Sequence, residues 1–199
     1  MYRMKVISVT AVLLAVLLCE SCAVRSRTSR ASDAHPRQSP EFDRQFLQNI
    51  IHYYDEETRM VQYCVEKAQR PELMDFCREI MALERENLST LQNWLGLWYG
   101  VAPSASASGE EHSSETFRSF ISKARSATGP EFEEALLSGL RLHHHHGIDD
   151  LTSCEGKASH ADLKDFCRQE SAVEKRQINQ MTKWICQWFK DCLETPIPE

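Results

Sequence analysis

The chain reads as an all-α protein, a four-helix bundle made from two copies of one helical hairpin and stapled by disulfides. Three observations lead there. Shifted by 90 residues, the sequence overlays itself without a gap across residues 40–100 and 130–190. Apolar residues within each copy recur at helical spacing. The 199 residues hold only 7 glycines and 7 prolines, so long stretches run without a helix breaker.

The first element is an export signal. "MYRMK" supplies a positive start and "VISVTAVLLAVLL" an apolar run too short for a membrane span. Two processing routes fit residues 1–23: cleavage after Ala23, with Ser21 at the −3 position, or lipidation of Cys22 within a degenerate lipobox. Either route exports the protein. Residues 24–38 read as a disordered tether.

The bundle occupies residues 39–192, with repeat 1 over 39–100, a linker over 101–129 and repeat 2 over 130–192. "PEFDRQFL" from Pro40 falls on "PEFEEALL" from Pro130, and "LMDFCR" from Leu73 falls on "LKDFCR" from Leu163. Trp94 and Trp98 meet Trp184 and Trp188. Ser39 is placed to cap the first helix, with Pro40 at its first position. Phe42, Phe46, Ile50, Tyr53, Val61, Cys64 and Ala68 then mark one helical face. The chain breaks at "AQRPEL". Its copy, "ASHADL", places Ser159 and Asp162 like a capping box. The second helix carries a seam of Leu73, Cys77, Ile80, Glu84, Asn87, Leu91, Trp94 and Trp98. Two hairpins of this kind make a four-helix bundle. Within the linker, Phe117, Phe120, Ile121 and Ala124 share the face of a short amphipathic helix.

Six cysteines remain beyond the signal, an even number that suits disulfides in an oxidising compartment. Cys64 and Cys77 flank one hairpin turn and Cys154 and Cys167 the other, so each pair is placed to bridge its own hairpin, the alternative being free core cysteines. Cys186 and Cys192 are then left to each other.

The seam is polar at its middle. Tyr53, Glu57, Glu84 and Asn87 in the first copy face His143, Gly147, Glu170, Glu174, Gln177 and Met181 in the second. Buried carboxylates need a partner, a proton or a metal. Bundles that hold metal do so with inward Glu and His. In the run "LHHHHGIDD", His143 and His146 are expected to share the inward face, with His144 and His145 turned elsewhere. Glu174, Gln177 and Met181 line one stripe of the facing helix. Imidazole with thioether suits copper, and imidazole with carboxylate suits zinc or iron. Glu84-x-x-Asn87 and Glu174-x-x-Gln177 replace the Glu-x-x-His pairs of a di-iron centre. Competing with any metal are a hydrogen-bonded structural layer, a solvated histidine face, and pairing of Glu84 or Glu174 with Arg85 or Lys175.

A net charge of −6 with scattered basic residues excludes a nucleic-acid binder. No Ser/His/Asp triad, phosphate loop or nucleotide fold is present in the sequence, so an enzyme is not expected.

The stretches "FDRQFLQNIIHYYDEETRMV" and "PELMDFCREIMALERENLSTLQNWL" resemble the bacterial secreted proteins grouped as domain of unknown function 305, over residues 40–100 and 130–190. The family pattern is Phe-Asp-x-x-Phe, an apolar pair, His-His, a later Met, Pro-Glu-Leu, and a second helix ending Met-x-x-Trp-Leu. The resemblance implies a ferritin-like bundle, exported and often lipid-anchored, with copper binding or tolerance in some members. Its His-His falls on His143 and His144 in the second repeat and on Tyr53 and Tyr54 in the first. Its first Met is Met60 in repeat 1 and Asp150 in repeat 2; its late Met is Leu91 and Met181. Each repeat has thus lost part of the pattern. The implied site is single: His143, His144 or His146, Glu174 and Met181, with Met60 and Glu84 from across the bundle. The expectation is a metal-binding protein of the periplasm or an outer-membrane lipoprotein, with copper ahead of zinc or iron. It would meet a membrane only through a lipid anchor. A structural or interaction module and a ferritin-like metalloenzyme are the alternatives.

Overall fold

The computed structural model describes residues 40–101 and 114–198. The signal at 1–23, Cys22 as a lipidation site, the tether at 24–38, the Ser39 cap and the linker stretch 102–113 lie outside the described residues. The described chain is helical: α1 (Pro40–Lys67), α2 (Pro71–Tyr99), α3 (Glu115–Ser126), α4 (Gly129–Lys157) and α5 (Ala161–Phe189). Among these helices none is long and apolar enough to cross a membrane.

Each hairpin turns at the predicted break. Pro71 opens α2, where its missing N–H costs nothing. The hairpins α1–α2 and α4–α5 pack with α1 antiparallel to α4, so that Tyr53 stacks on His143 at 4.0 Å while a Cβ added at Gly139 would lie 3.3 Å from the Met60 methyl. α2 runs antiparallel to α5, with Phe76 edge-on to Trp184 at 5.1 Å and Asn87 donating to Glu170. α3 lies across α1 and α4, burying Phe117, Phe120, Ile121 and Ala124 as its spacing predicts. Its first turn is capped by Ser114, whose N–H and hydroxyl both donate to the buried Glu56 carboxylate at 2.6 and 2.7 Å.

All three expected disulfides are formed: Cys64–Cys77, Cys154–Cys167 and Cys186–Cys192. The first two close hairpin loops with sequence separation 13 and are fully buried. Closure of a loop that size stabilises by about 3 kcal/mol through the unfolded chain.

Two expectations about local structure are corrected. The seam of α2 leaves the tryptophans and continues through Leu91 and Leu95, while Trp94 and Trp98 stack on each other at its half-buried edge, 5.0 Å apart. The capping box at α5 does not form: among the described residues Ser159 Oγ has no partner, and Asp43 of α1 instead binds the N–H groups of the turn just ahead of α5. Asp43 accepts from the Ser159 and His160 N–H groups at 2.8 and 2.9 Å and from His160 Nδ1 at 2.7 Å. At the opposite end Glu133 of α4 does the same for α2, accepting from the Gln69 and Arg70 N–H groups at 2.8 and 2.9 Å and pairing with the Arg70 guanidinium. Asp43 and Glu133 are repeat-equivalent, so each hairpin caps the other.

The core falls into two apolar clusters. One gathers Met60, Ile80, Phe120, Leu136, Leu140, Ile178 and Met181; the other gathers Leu47, Ile50, Leu91, Leu95, Leu151 and Leu163. The polar belt lies in the waist between them.

Replacing Asp43 or Glu133 by alanine leaves part-buried backbone donors without their acceptor and removes a buried charge from its partners, and each change is expected to cost about 3 kcal/mol in urea unfolding. Because the two lie at opposite ends, their effects should add to within about 0.5 kcal/mol; a loss under about 1 kcal/mol for both would show that the caps do not hold the hairpins together.

Candidate metal centre

The belt is fed by four helices. α1 brings Tyr53, Tyr54 and Glu57; α2 brings Glu84 and Asn87; α4 brings His143, His144 and Gly147; α5 brings Glu170, Glu174 and Gln177. Gly147 makes the layer packable. A Cβ there would lie 2.3 Å from the Tyr53 hydroxyl and 2.5 Å from Glu174 Oε2, so only hydrogen lets those side chains cross α4. The Tyr53 hydroxyl reaches Glu174 Oε1 and the His143 carbonyl, both at 3.3 Å. Asn87 joins Glu84 to Glu170 at 3.4 and 3.1 Å. Hydrogen bonds within the belt therefore replace the pairing of Glu84 or Glu174 with Arg85 or Lys175.

Of the four histidines, His143 and His144 are buried, His145 is half-buried and His146 is exposed. This corrects the expectation that His146 accompanies His143 inward. α4 packs against α1, α3 and α5 together, so its buried arc is wide and centred on Leu137, Leu140, His144 and Leu151. His144 sits inside that arc and His146 beyond its edge.

His144 carries the chemistry of the junction. Its Nδ1 lies 2.9 Å from the Leu140 carbonyl and its Nε2 2.7 Å from the Gln177 amide; when Nδ1 donates to the carbonyl, Nε2 presents a lone pair to which the Gln177 NH2 can donate. Nε2 also lies 3.4 Å from Glu57 Oε1. The Glu57 approach is a contact rather than a hydrogen bond, since neither Glu57 oxygen has a hydrogen-bond partner. Glu174 Oε2 is likewise unpartnered. Side chains from α1, α4 and α5 thus converge at one buried junction, where the Glu57 carboxyl has no hydrogen-bond partner among the described residues.

Burial sets the protonation of the belt. Desolvation lifts the Glu57 carboxyl from the usual 4.5 to about 8, so it is neutral at physiological pH. Burial raises Glu84 and Glu174 as well, with neighbouring carboxylates, Glu57 first among them, pushing the same way. Desolvation lowers His143 to about 3 and His144 to about 4, so both imidazoles are neutral. Among the described residues no three His, Cys, Asp or Glu side chains are grouped to hold a metal ion.

The predicted site residues fall into three sets. His144, with Glu57 and Gln177 beside it, forms the junction. His143, Glu174 and Glu84 belong to the belt, where Tyr53 and Asn87 hold them. Met60 and Met181 are fully buried one helical turn from Glu57 and Gln177, in the apolar cluster that also contains Leu140. Sequence reasoning placed Glu57 and Gln177 in the belt but not among the candidate site residues. Their signal was present: Glu57 precedes Met60 by one turn, and Gln177 precedes Met181 by one turn.

The described chain is a helical bundle with imidazoles and carboxylates in its waist. The chain matches the sequence profile of the Domain of unknown function (DUF305) over residues 25–95 and 43–185, and it belongs to that family. Its fold is similar to that of CopM in a Cu(II)-bound form, with TM-score 0.64, 15% identity, and 73% of this chain and 97% of that chain covered. CopM in a Cu(I)-bound form gives TM-score 0.62 and 16% identity, over 74% of this chain and 97% of that one. A DUF305 protein from Streptomyces coelicolor gives TM-score 0.63 and 14% identity, over 74% and 92%. Among curated proteins nothing matches. The three disulfides fit an exported protein.

Two predictions follow from the packing and charge of the belt. Gly147→Ala should destabilise the protein by at least about 2 kcal/mol, since overpacking displaces Tyr53 and Glu174 together; a neutral result in urea unfolding would show that the waist can yield. The second concerns pH. Glu57 is protonated when folded and ionised when unfolded between 4.5 and 8, so its contribution is fully present below 4.5 and is lost as pH rises through 8. His143 and His144 act in the opposite sense, contributing above 6.5 and losing that contribution as pH falls toward 4 and 3. In chelator the urea midpoint should therefore fall between pH 6.5 and 8.5, and Glu57→Gln should flatten that slope; an unchanged slope in the variant would remove Glu57 as its source.

Proposed function

We propose that this protein binds a transition-metal ion, copper before zinc or iron, in the waist of its bundle. It would act in the cell envelope, in the periplasm or on a lipid anchor at Cys22, in sequestration or delivery rather than catalysis. The observation that carries this is the convergence of His144 Nε2, Gln177 Oε1 and the unpartnered Glu57 carboxyl at one buried junction.

Copper comes first because of the two thioethers beside the junction. Zinc or iron sites are normally completed by three or more His, Cys or carboxylate ligands, and the described residues hold no such group. A neutral imidazole with the Met60 and Met181 thioethers a turn away suits copper. His144 would supply the nitrogen and be held in the correct tautomer by the Leu140 carbonyl. Glu57 would supply charge on losing its proton. A groove of about 270 Å³ between α2 and α5 is lined in part by Ile80 and by Gln177, the junction residue nearest its wall. The likeness to CopM structures holding Cu(I), Cu(II) and silver supports the same reading.

The second reading is a structural module, favoured by the Asn87 bridge and the Tyr53 contacts that already satisfy much of the belt. The test is elemental analysis and competition titration with Cu(I), Cu(II) and Zn(II) on the oxidised protein. One equivalent of copper should bind with Kd below about 1 µM. His144→Ala should weaken it about 100-fold, near 2.7 kcal/mol. Met181→Leu should weaken Cu(I) more than Cu(II). Wild-type protein with no site tighter than an exposed histidine pair would sink the metal reading and leave the structural one.

A further inference from the structure

The three disulfides are not equivalent. All four cysteines of the hairpin bridges are fully buried, whereas Cys186 is half-buried at the last turn of α5 and Cys192 is exposed beyond it. This third bridge closes a separation of only 6 and staples no hairpin. It does fix the root of the C-terminal segment. α5 ends at Lys190 in the left-handed conformation, φ 64°, and the chain turns back along the helix it has just left.

That returning segment is seated by side chains. Asn179 binds the Ile197 backbone twice, accepting from its N–H at 2.8 Å and donating to its carbonyl at 3.0 Å, as a neighbouring strand would. Glu194 pairs with Arg141 of α4 at 2.7 Å. The Ile197 side chain packs on the apolar cluster that contains Ile178 and Met181. Leu193, between these anchors, is 92% exposed. The segment is therefore a strap spanning α4 and α5, tied at Cys192, Glu194 and Ile197. Two hydrogen bonds and one half-exposed ion pair do not outweigh the entropy of ordering residues 190–197 without the covalent tie at the root.

We propose that Cys186–Cys192 is a thiol–disulfide exchange site for a thioredoxin-like dithiol protein, and that its opening releases the C-terminal strap from α4 and α5. A thiolate of the dithiol attacks the exposed Cys192 sulfur, and Cys186 departs as thiolate and takes up a proton. The second thiol of the partner then attacks the mixed disulfide, freeing Cys192 and leaving the partner as its own disulfide. Two electrons pass to the cysteine pair and the hairpin bridges stay closed. The inference is independent of metal binding.

The experiment treats the oxidised protein with thioredoxin, its reductase and NADPH, alkylates at timed intervals, and locates the label by mass spectrometry. Cys186 and Cys192 should be labelled about 100-fold faster than the other four cysteines. Amide hydrogen exchange at Ile197 should accelerate about 10-fold once the pair is open, with α1, α2, α4 and α5 unchanged. The Cys186→Ser/Cys192→Ser double variant should show the same fast exchange without reductant. Asn179→Ala should free Ile197 while the bridge remains closed. Reduction of all three bridges at one rate, or an Ile197 amide equally protected with the bridge open, would overturn the proposal.

Discussion

The exchange of acidic caps between the two hairpins is the constraint on which the rest of the structure depends. Each hairpin turn carries two N–H groups just ahead of its second helix, at residues 69–70 and 159–160, and Arg70 and His160 stand where a capping side chain would. Asp43 and Glu133 reach across to accept from them. Both carboxylates are fully buried, so a slip of α1 along α4 by one turn would strand charge and donors at both ends together. The register of the bundle is thereby fixed twice.

That register decides the waist. It brings Gly147 opposite Tyr53 and Glu174, and His144 opposite Glu57, by aligning repeat-equivalent positions that have diverged in chemistry. Duplication alone would have given a symmetric belt. Instead Tyr53 and Tyr54 stand against His143 and His144, and Glu57 against Gly147. The large side chain of one repeat fills the space left by the small one of the other, as the glycine contacts require. The result is a single asymmetric junction.

The same asymmetry appears at the two ends. Arg70 lies over Trp188 at 4.6 Å while pairing with Glu133. His160 stacks on Trp98 at 3.9 Å while bonded to Asp43. One end is closed by a permanent cation and the other by an imidazole. The aromatic residues that the seam pattern placed inside are what flatten onto these groups, which explains their half-buried position.

By itself the sequence determined the helices, the duplication and the partners of the two hairpin disulfides, since these follow from local spacing: periodicity, prolines at helix starts, and cysteines equidistant from a turn. It also placed a polar layer in the waist, because carboxylates and imidazoles interrupt an otherwise apolar seam. Only the tertiary structure decided which of these groups meet. Spacing of three between His143 and His146 suggested a shared inward face, but the width of a helix's buried arc depends on how many neighbours it has, and α4 has three. The capping residues came from the other repeat, more than sixty positions away, where no local rule looks. Whether a buried carboxylate is bonded or left open, as Asn87 bonds Glu84 and nothing bonds Glu57, is settled by distances between helices that a linear pattern does not contain.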